Sequence, residues 1–108
     1  LGLLPAGLGA RDTLRLERAL PLYGHELDES TTPFEAGLDW VVKMDSPFIG
    51  RDALARQKQE GIRRRLVGLT LLESGVPRQG YRLFADGEEV GAVTSGTVEY
   101  TFVAVPEP

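Results

Sequence analysis

Arg11 and Asp12 follow Gly7-Leu8-Gly9-Ala10 at the opening of a stretch of helix formers, and residue types in this pattern can do chemistry. A guanidinium presents five donors in one plane, which suits a carboxylate or a flat heteroaromatic ring. Arg11 can equally pair inside the protein, with Asp12, Glu35 or a more distant carboxylate, and residue types leave both roles open. In a first helical turn a cation opposes the helix dipole, which makes Arg11 less expected there than Asp12. The paired glycines could cradle an anion at a helix N-terminus. They lack the third glycine and the preceding strand of a dinucleotide fingerprint, so a tight turn is the stronger expectation. His25 is the only imidazole, and with no Cys in the chain a metal site would have to use carboxylates such as Asp28 and Glu29. A surface or hydrogen-bonded loop histidine is expected instead, with no metal. Ser30, Ser46, Ser74 and Ser95 stand in no Gly-x-Ser-x-Gly elbow, so a Ser-His-Asp site is not expected. Arg63-Arg64-Arg65 could form a phosphate patch, but a solvated linker or an ion pair between two parts of the fold fits the chain's charge better.

That charge is 12 Lys+Arg against 16 Asp+Glu, net −4 over 108 residues, which argues against a nucleic-acid partner because phosphate binding needs a basic face. No apolar run approaches the roughly 20 residues of a membrane-spanning helix. Without Cys there is no disulfide or thiol nucleophile, which fits a cytosolic protein. The uncharged, apolar start Leu1-Gly2-Leu3-Leu4-Pro5 resembles the interior of a longer chain.

The elements that must position these residues change character along the chain. A helix is predicted over 10–19, with Asp12 in its first turn, Arg18 in its last and Pro21 beyond it. Leu16 and Leu20 share one face, while Leu14 pairs with Arg18 on another. Thr32-Pro33-Phe34-Glu35 has the form of a capping box with Pro at the first helical position, predicting a short helix that stops at Gly37. Residues 40–44 are aromatic and β-branched and predict a strand, with Trp40 and Phe34 in the core. A second helix is predicted over 51–60, with Ala53, Leu54 and Gln57 inward and Gly61 ending it. After Arg65 short alternating runs take over, at 66–72, 81–85, 89–94 and 97–105. Asp86-Gly87 predicts a hairpin turn, and in the last run Val98, Tyr100, Phe102 and Ala104 share a face. The fold class is α+β, with the change of period near residues 61 to 65 dividing the chain into 1–62 and 63–108. Each part is marginal for a core of its own, so both are expected to pack against further structure.

Six blocks go beyond patterning. Gly7-Leu8-Gly9-Ala10-Arg11-Asp12-Thr13-Leu14-Arg15-Leu16-Glu17, Leu22-Tyr23-Gly24-His25-Glu26-Leu27-Asp28-Glu29 and Thr31-Thr32-Pro33-Phe34-Glu35-Ala36-Gly37-Leu38 come first. Phe48-Ile49-Gly50-Arg51-Asp52-Ala53-Leu54, Arg65-Leu66-Val67-Gly68-Leu69 and Val93-Thr94-Ser95-Gly96-Thr97 follow. In this order and spacing, from about residue 1 to 97, they closely resemble the aminomethyltransferase, or T-protein, family of the glycine cleavage system.

The resemblance implies that 1–62 is the end of a folate-binding core domain and 63–108 the start of a C-terminal antiparallel β-barrel, here incomplete. It implies transfer of the methylene carbon from the aminomethyl-lipoyl H-protein to tetrahydrofolate with release of ammonia. Tetrahydrofolate and lipoylated H-protein are then the expected cofactor and partner, in the cytoplasm of a bacterial or archaeal source. The family's catalytic Asp lies in a region this chain does not contain, so no catalytic residue is expected here and the isolated chain should be inactive. Arg11 matches the family's folate-contacting Arg, which favours ligand binding over an internal pair; Arg15, Tyr23 and Trp40 keep structural roles.

The chain departs from the family at Arg18-Ala19, where Ala-Gly usually follows Leu-Glu. It departs again after Thr97, where an aromatic-Ser-Pro-x-Leu stretch is usual. Two related readings are the folate-binding module of a dimethylglycine or sarcosine dehydrogenase and a non-catalytic folate-binding protein of iron–sulfur assembly. The latter's Lys-Gly-Cys-Tyr-x-Gly-Gln stretch is absent here.

Overall fold

The computed structural model describes residues 2–98 and 101–106. Helix α1 spans Leu8–Glu17 and α2 spans Arg51–Glu60, with a short 3-10 turn at Asp39–Val41 between them. Four strands follow: β1 Arg64–Leu69, β2 Arg82–Ala85, β3 Glu88–Gly96 and β4 Thr101–Pro106. They form one antiparallel sheet in the order β1-β4-β3-β2, open at both edges, as expected of an α+β chain with an incomplete barrel. The layers are thin: the molecule measures 49 × 47 × 19 Å, and its radius of gyration of 16.2 Å exceeds the roughly 13 Å of a compact domain this size.

α1 begins two residues earlier than expected, with Gly7 as its N-cap. Arg11 and Asp12 therefore sit in the second turn, outside the reach of the dipole argument, and Arg18 caps the C-terminus instead of lying inside it. The helix ends in a Schellman pair, Leu20 N–H donating to Arg15 C=O at 2.8 Å and Ala19 N–H to Leu16 C=O at 3.0 Å. This geometry forces Ala19 into the left-handed region at φ 53°, a position that favours glycine. Leu16 is buried, but Leu14 and Leu20 are exposed.

The capping box at Thr32 forms as expected: Thr32 N–H donates to Glu35 Oε2 at 2.8 Å and Glu35 N–H to Thr32 Oγ1 at 3.3 Å. The chain turns only once before Gly37, at φ 70°, so the signal closes a turn instead of starting a helix. It delivers Phe34 into the core with Lys58 of α2 lying 5.5 Å from the ring centre. No strand forms over 40–44. Trp40 lies in the 3-10 turn and is 70% exposed, so β-branched and aromatic content there reflects an uncovered surface and not a sheet. α2 matches its predicted bounds, but Leu54, Ala55 and Gln57 form its half-buried side while Ala53 is exposed.

In the sheet, Val67, Val103 and Val93 align across β1, β4 and β3, and Val103 is fully buried. Leu66, Ala104 and Ala92 align beside them, one residue along each strand and therefore on the opposite face. The hairpin turn is Asp86-Gly87 with φ 52° and 84°, the two positive values of a type I′ turn. Among the described residues the last run pairs over Thr101–Pro106, with Phe102 buried, Ala104 half-buried and Val98 exposed; Tyr100, assigned to the same face, lies outside the described residues. Gly96 ends β3 against the loop between β1 and β2, where a Cβ would lie 2.2 Å from the carbonyl oxygen of Pro77.

Two glycine exchanges test these backbone assignments. Ala19→Gly should stabilise the chain by up to about 1 kcal/mol, because removing a Cβ from the left-handed region outweighs the added chain entropy. Gly96→Ala should destabilise it by about 1–3 kcal/mol, the usual cost of overpacking. Urea unfolding reads both, and equal midpoints for parent and variants would contradict the assignment.

Candidate functional site

The buried polar centre of the molecule is built around Arg15, which faces inward from the last turn of α1. Its Nε donates to Asp12 Oδ1 at 3.0 Å, three residues back on the same helix face. Its Nη1 donates to Glu26 Oε2 at 3.0 Å and to the carbonyl of Leu20 at 3.3 Å. Its Nη2 donates to Ser95 Oγ in β3 at 2.8 Å. Glu26 is only 4% exposed, and its placement is local in origin. The carbonyl of Leu22 accepts from the N–H groups of His25, Glu26 and Leu27, winding 22–27 into a tight loop around Gly24 at φ 87°. Leu22 N–H closes the loop by donating to Glu26 Oε2 at 3.0 Å. The other carboxylate oxygen, Oε1, is buried without a partner among the described residues.

A register shift between Val93 and Ser95 turns this part of β3 toward the loop. His25 Nδ1 lies 3.1 Å from the carbonyl of Thr94 and 3.2 Å from Ser95 Oγ. Asp12, Arg15, His25, Arg78, Gln79 and Ser95 line a shallow cavity of about 190 Å³ at this junction. The histidine is hydrogen-bonded and exposed, in a loop as expected. Ser95 is buried and accepts from a guanidinium, which lowers the electron density of its oxygen and ill suits a nucleophile. Among the described residues no group of three or more His, Cys, Asp or Glu is placed to hold a metal.

Arg11 stands on the outer side of this cluster. Its side chain is 53% exposed, and its Nη2 donates to Asp12 Oδ1 at 3.3 Å, the same oxygen that Arg15 uses. The pair with Asp12 is therefore present, while Glu35 is engaged elsewhere. Arg64 Nε donates to Glu35 Oε1 at 3.2 Å, and its Nη2 donates to Ser30 C=O and Thr31 Oγ1 at 2.8 and 3.0 Å. Leu66 N–H adds a bond to Glu35 C=O at 3.0 Å. Arg64 of the arginine run is thus an ion-pair clasp between the 32–37 turn and β1.

Two carboxylates are held below the ordinary aspartate range. For Asp12 the hydrogen bond from Arg15 is the leading cause, opposed by partial burial and reinforced by Arg11. For Asp28 the leading cause is the Thr31 hydroxyl, helped by the hydroxyl and N–H of Ser30, all of which donate to one oxygen.

Arg15 and Glu26 are the residues that sequence reasoning missed as a centre. Arg15 lies between Leu14 and Leu16, a pattern that reads as an outward charge. Its most distant partner in sequence, Ser95, is 80 residues away and leaves no local signal. The one available hint is the i,i+3 spacing of Asp12 and Arg15.

With the geometry in place, known proteins supply the class. A family model described as the GCVT N-terminal domain matches residues 1–46, and the glycine cleavage T-protein C-terminal barrel domain matches 64–104. The chain belongs to the glycine cleavage T-protein, or aminomethyltransferase, family. It is 62% identical over 96 residues to an aminomethyltransferase of Geobacillus kaustophilus, covering 87% of this chain and 26% of that protein. It is 52% identical over 101 residues to one from Thermosipho melanesiensis, covering 94% and 28%. The crystal structure of the glycine cleavage system aminomethyltransferase T from Bartonella henselae superposes with a TM-score of 0.86 at 36% identity, covering 94% of this chain and 31% of that one. The chain thus spans about a quarter of the length of the curated relatives it matches.

Glu26→Ala should destabilise the chain by about 3 kcal/mol, since it strips a buried guanidinium of its one fully buried carboxylate partner and leaves it only the partly exposed Asp12, whereas Arg15→Met with Glu26→Leu should cost far less. A Glu26→Ala chain unfolding at the parent's denaturant midpoint would show that the ion pair is not buried as described. The depressed Asp12 and Asp28 carboxyls make stability pH-dependent with a definite sign. Their contribution is complete above the roughly 3.9 of an unperturbed aspartate and is lost as pH falls through their lower folded values. In acid titrations of stability, Asp28→Asn should show a shallower loss than the parent; an unchanged curve would remove Asp28 from the account.

Proposed function

We propose that the chain is a segment of a tetrahydrofolate-dependent aminomethyltransferase. The reaction moves the methylene carbon of the aminomethyl group, carried on the lipoyl arm of the H-protein, to tetrahydrofolate and releases ammonia. The observation that carries this reading is the 58–62% identity to two Geobacillus aminomethyltransferases. Those names favour a transferase over a flavin-linked dehydrogenase module or an iron–sulfur assembly protein. On this reading 1–62 is the end of the folate-binding core and 63–108 the start of the barrel. The change from helical to alternating periodicity near 61 to 65 supports that division. The protein works in the cytoplasm with lipoylated H-protein as its partner.

Within this segment Arg11 is the residue assigned to folate. It is half exposed, and its one hydrogen bond among the described residues is a long one to Asp12. Most of its planar donors are therefore available for the glutamate carboxylates or the pterin edge. The segment supplies no catalytic residue, and its role is binding and positioning.

In a full-length aminomethyltransferase carrying this segment, Arg11→Ala should weaken tetrahydrofolate binding by about 1.5–3 kcal/mol, the value of a hydrogen bond to a charged group. Calorimetric titration checks this, and parental affinity in the variant would remove Arg11 from the site. The isolated 108-residue chain, mixed with lipoylated H-protein and tetrahydrofolate, should release no ammonia above background. Clear turnover would contradict the absence of a catalytic residue.

A further inference from the structure

Resting on the assignment of Arg11 to folate, we propose that Ser95 of β3 is a positioning residue for that contact, acting through Arg15 and Asp12. The path is a continuous set of hydrogen bonds that runs from buried Ser95 and Arg15 through partly exposed Asp12 to exposed Arg11. Ser95 Oγ accepts from Arg15 Nη2 at 2.8 Å, Arg15 Nε donates to Asp12 Oδ1 at 3.0 Å, and the same oxygen accepts from Arg11 Nη2 at 3.3 Å.

Three features make the path directional. Ser95 and Arg15 are both buried, meeting solvent only through the shallow cavity they line, so their mutual bond is largely shielded from bulk water. The guanidinium is planar and every nitrogen is engaged, so withdrawing Ser95 frees one corner and lets the plane tilt about the Glu26 contact. Tilting moves Nε, and with it the carboxylate that Arg11 shares. The register shift between Val93 and Ser95 is the device that brings a strand hydroxyl to this corner. Ser95 bonds Arg15 and His25 and not Arg11, so its influence on the Arg11 contact runs through Arg15 and Asp12.

The test is a double-mutant cycle in a full-length aminomethyltransferase carrying this segment, with tetrahydrofolate as the varied substrate. Ser95→Ala should raise KM for tetrahydrofolate about three- to tenfold, toward the lower end of coupling within one hydrogen-bond network, with the effect on KM rather than kcat. In an Arg11→Ala background the same substitution should add nothing, and Ser95→Thr, which keeps the hydroxyl, should restore most of the parental KM. Asp12→Asn provides a second entry into the path at a partly exposed position, and its effect on KM should likewise vanish without Arg11. A Ser95→Ala effect of equal size in both backgrounds, or no effect on KM at all, would overturn the positioning role while leaving the folate assignment intact. An Arg11→Ala single variant with parental KM would overturn the assignment itself, and this proposal with it.

Discussion

The burial of Arg15 is the constraint on which the rest of the structure depends. An ionised side chain removed from water costs several kcal/mol unless its donors are met and its charge is balanced. Here the donors are met by α1 itself, by the helix's own exit at Leu20, by the loop around Gly24 and by β3. None of these partners can shift alone. The buried ion pair is weak evidence for stability, but it strongly restricts how the helical part and the sheet can dock, because any other docking leaves a guanidinium or a carboxylate stranded.

The clasp between Glu35 and Arg64 works differently. Arg64 remains partly in solvent, where an ion pair is screened and worth little by itself. Its value is geometric: Glu35 uses one carboxylate oxygen to close the capping box, the other to receive Arg64, and its carbonyl to receive Leu66. One residue therefore fixes a turn and the outer edge of β1 together. The two clasps anchor opposite ends of the junction, Arg15 at β3 and Arg64 at β1, so a molecule only 19 Å thick keeps a defined arrangement with few fully buried apolar side chains.

What the sequence made legible follows from the range of the forces involved. α2, the Asp86-Gly87 hairpin and the Thr32 capping box rest on interactions within four residues, and all three formed. The failures share a cause. Residues 40–44 have the composition of a strand, but a strand needs a partner to receive its backbone groups, and none of the described strands pairs with it; Trp40 is left exposed in a 3-10 turn. α1 starts at Leu8 and not at residue 10 because Gly7 serves as its cap, although Gly9 lowers helix propensity, and propensity alone cannot weigh the two. The Arg15 centre is illegible because one of its buried partners, Ser95, enters from the far end of the chain. The change of period marks the α+β class, the family resemblance adds the incomplete barrel, and the site assignment rests on Arg11 alone.

The unusual Arg18-Ala19 pair shows how such a centre constrains sequence beyond its own members. The Schellman turn at Ala19 brings the Leu20 carbonyl back to Arg15 Nη1 while Leu20 N–H bonds the Arg15 backbone, so the same turn satisfies both the helix end and the buried guanidinium. A residue at position 19 must therefore accept a positive φ whatever its side chain. Alanine does so at a cost of roughly 1–2 kcal/mol in the left-handed region, and glycine would do so freely. That the turn is kept despite the penalty follows from the alternative: a helix continuing through Ala19 would carry the Leu20 carbonyl away and leave a buried donor unmet, which costs about 1–3 kcal/mol and is greater still for a charged group.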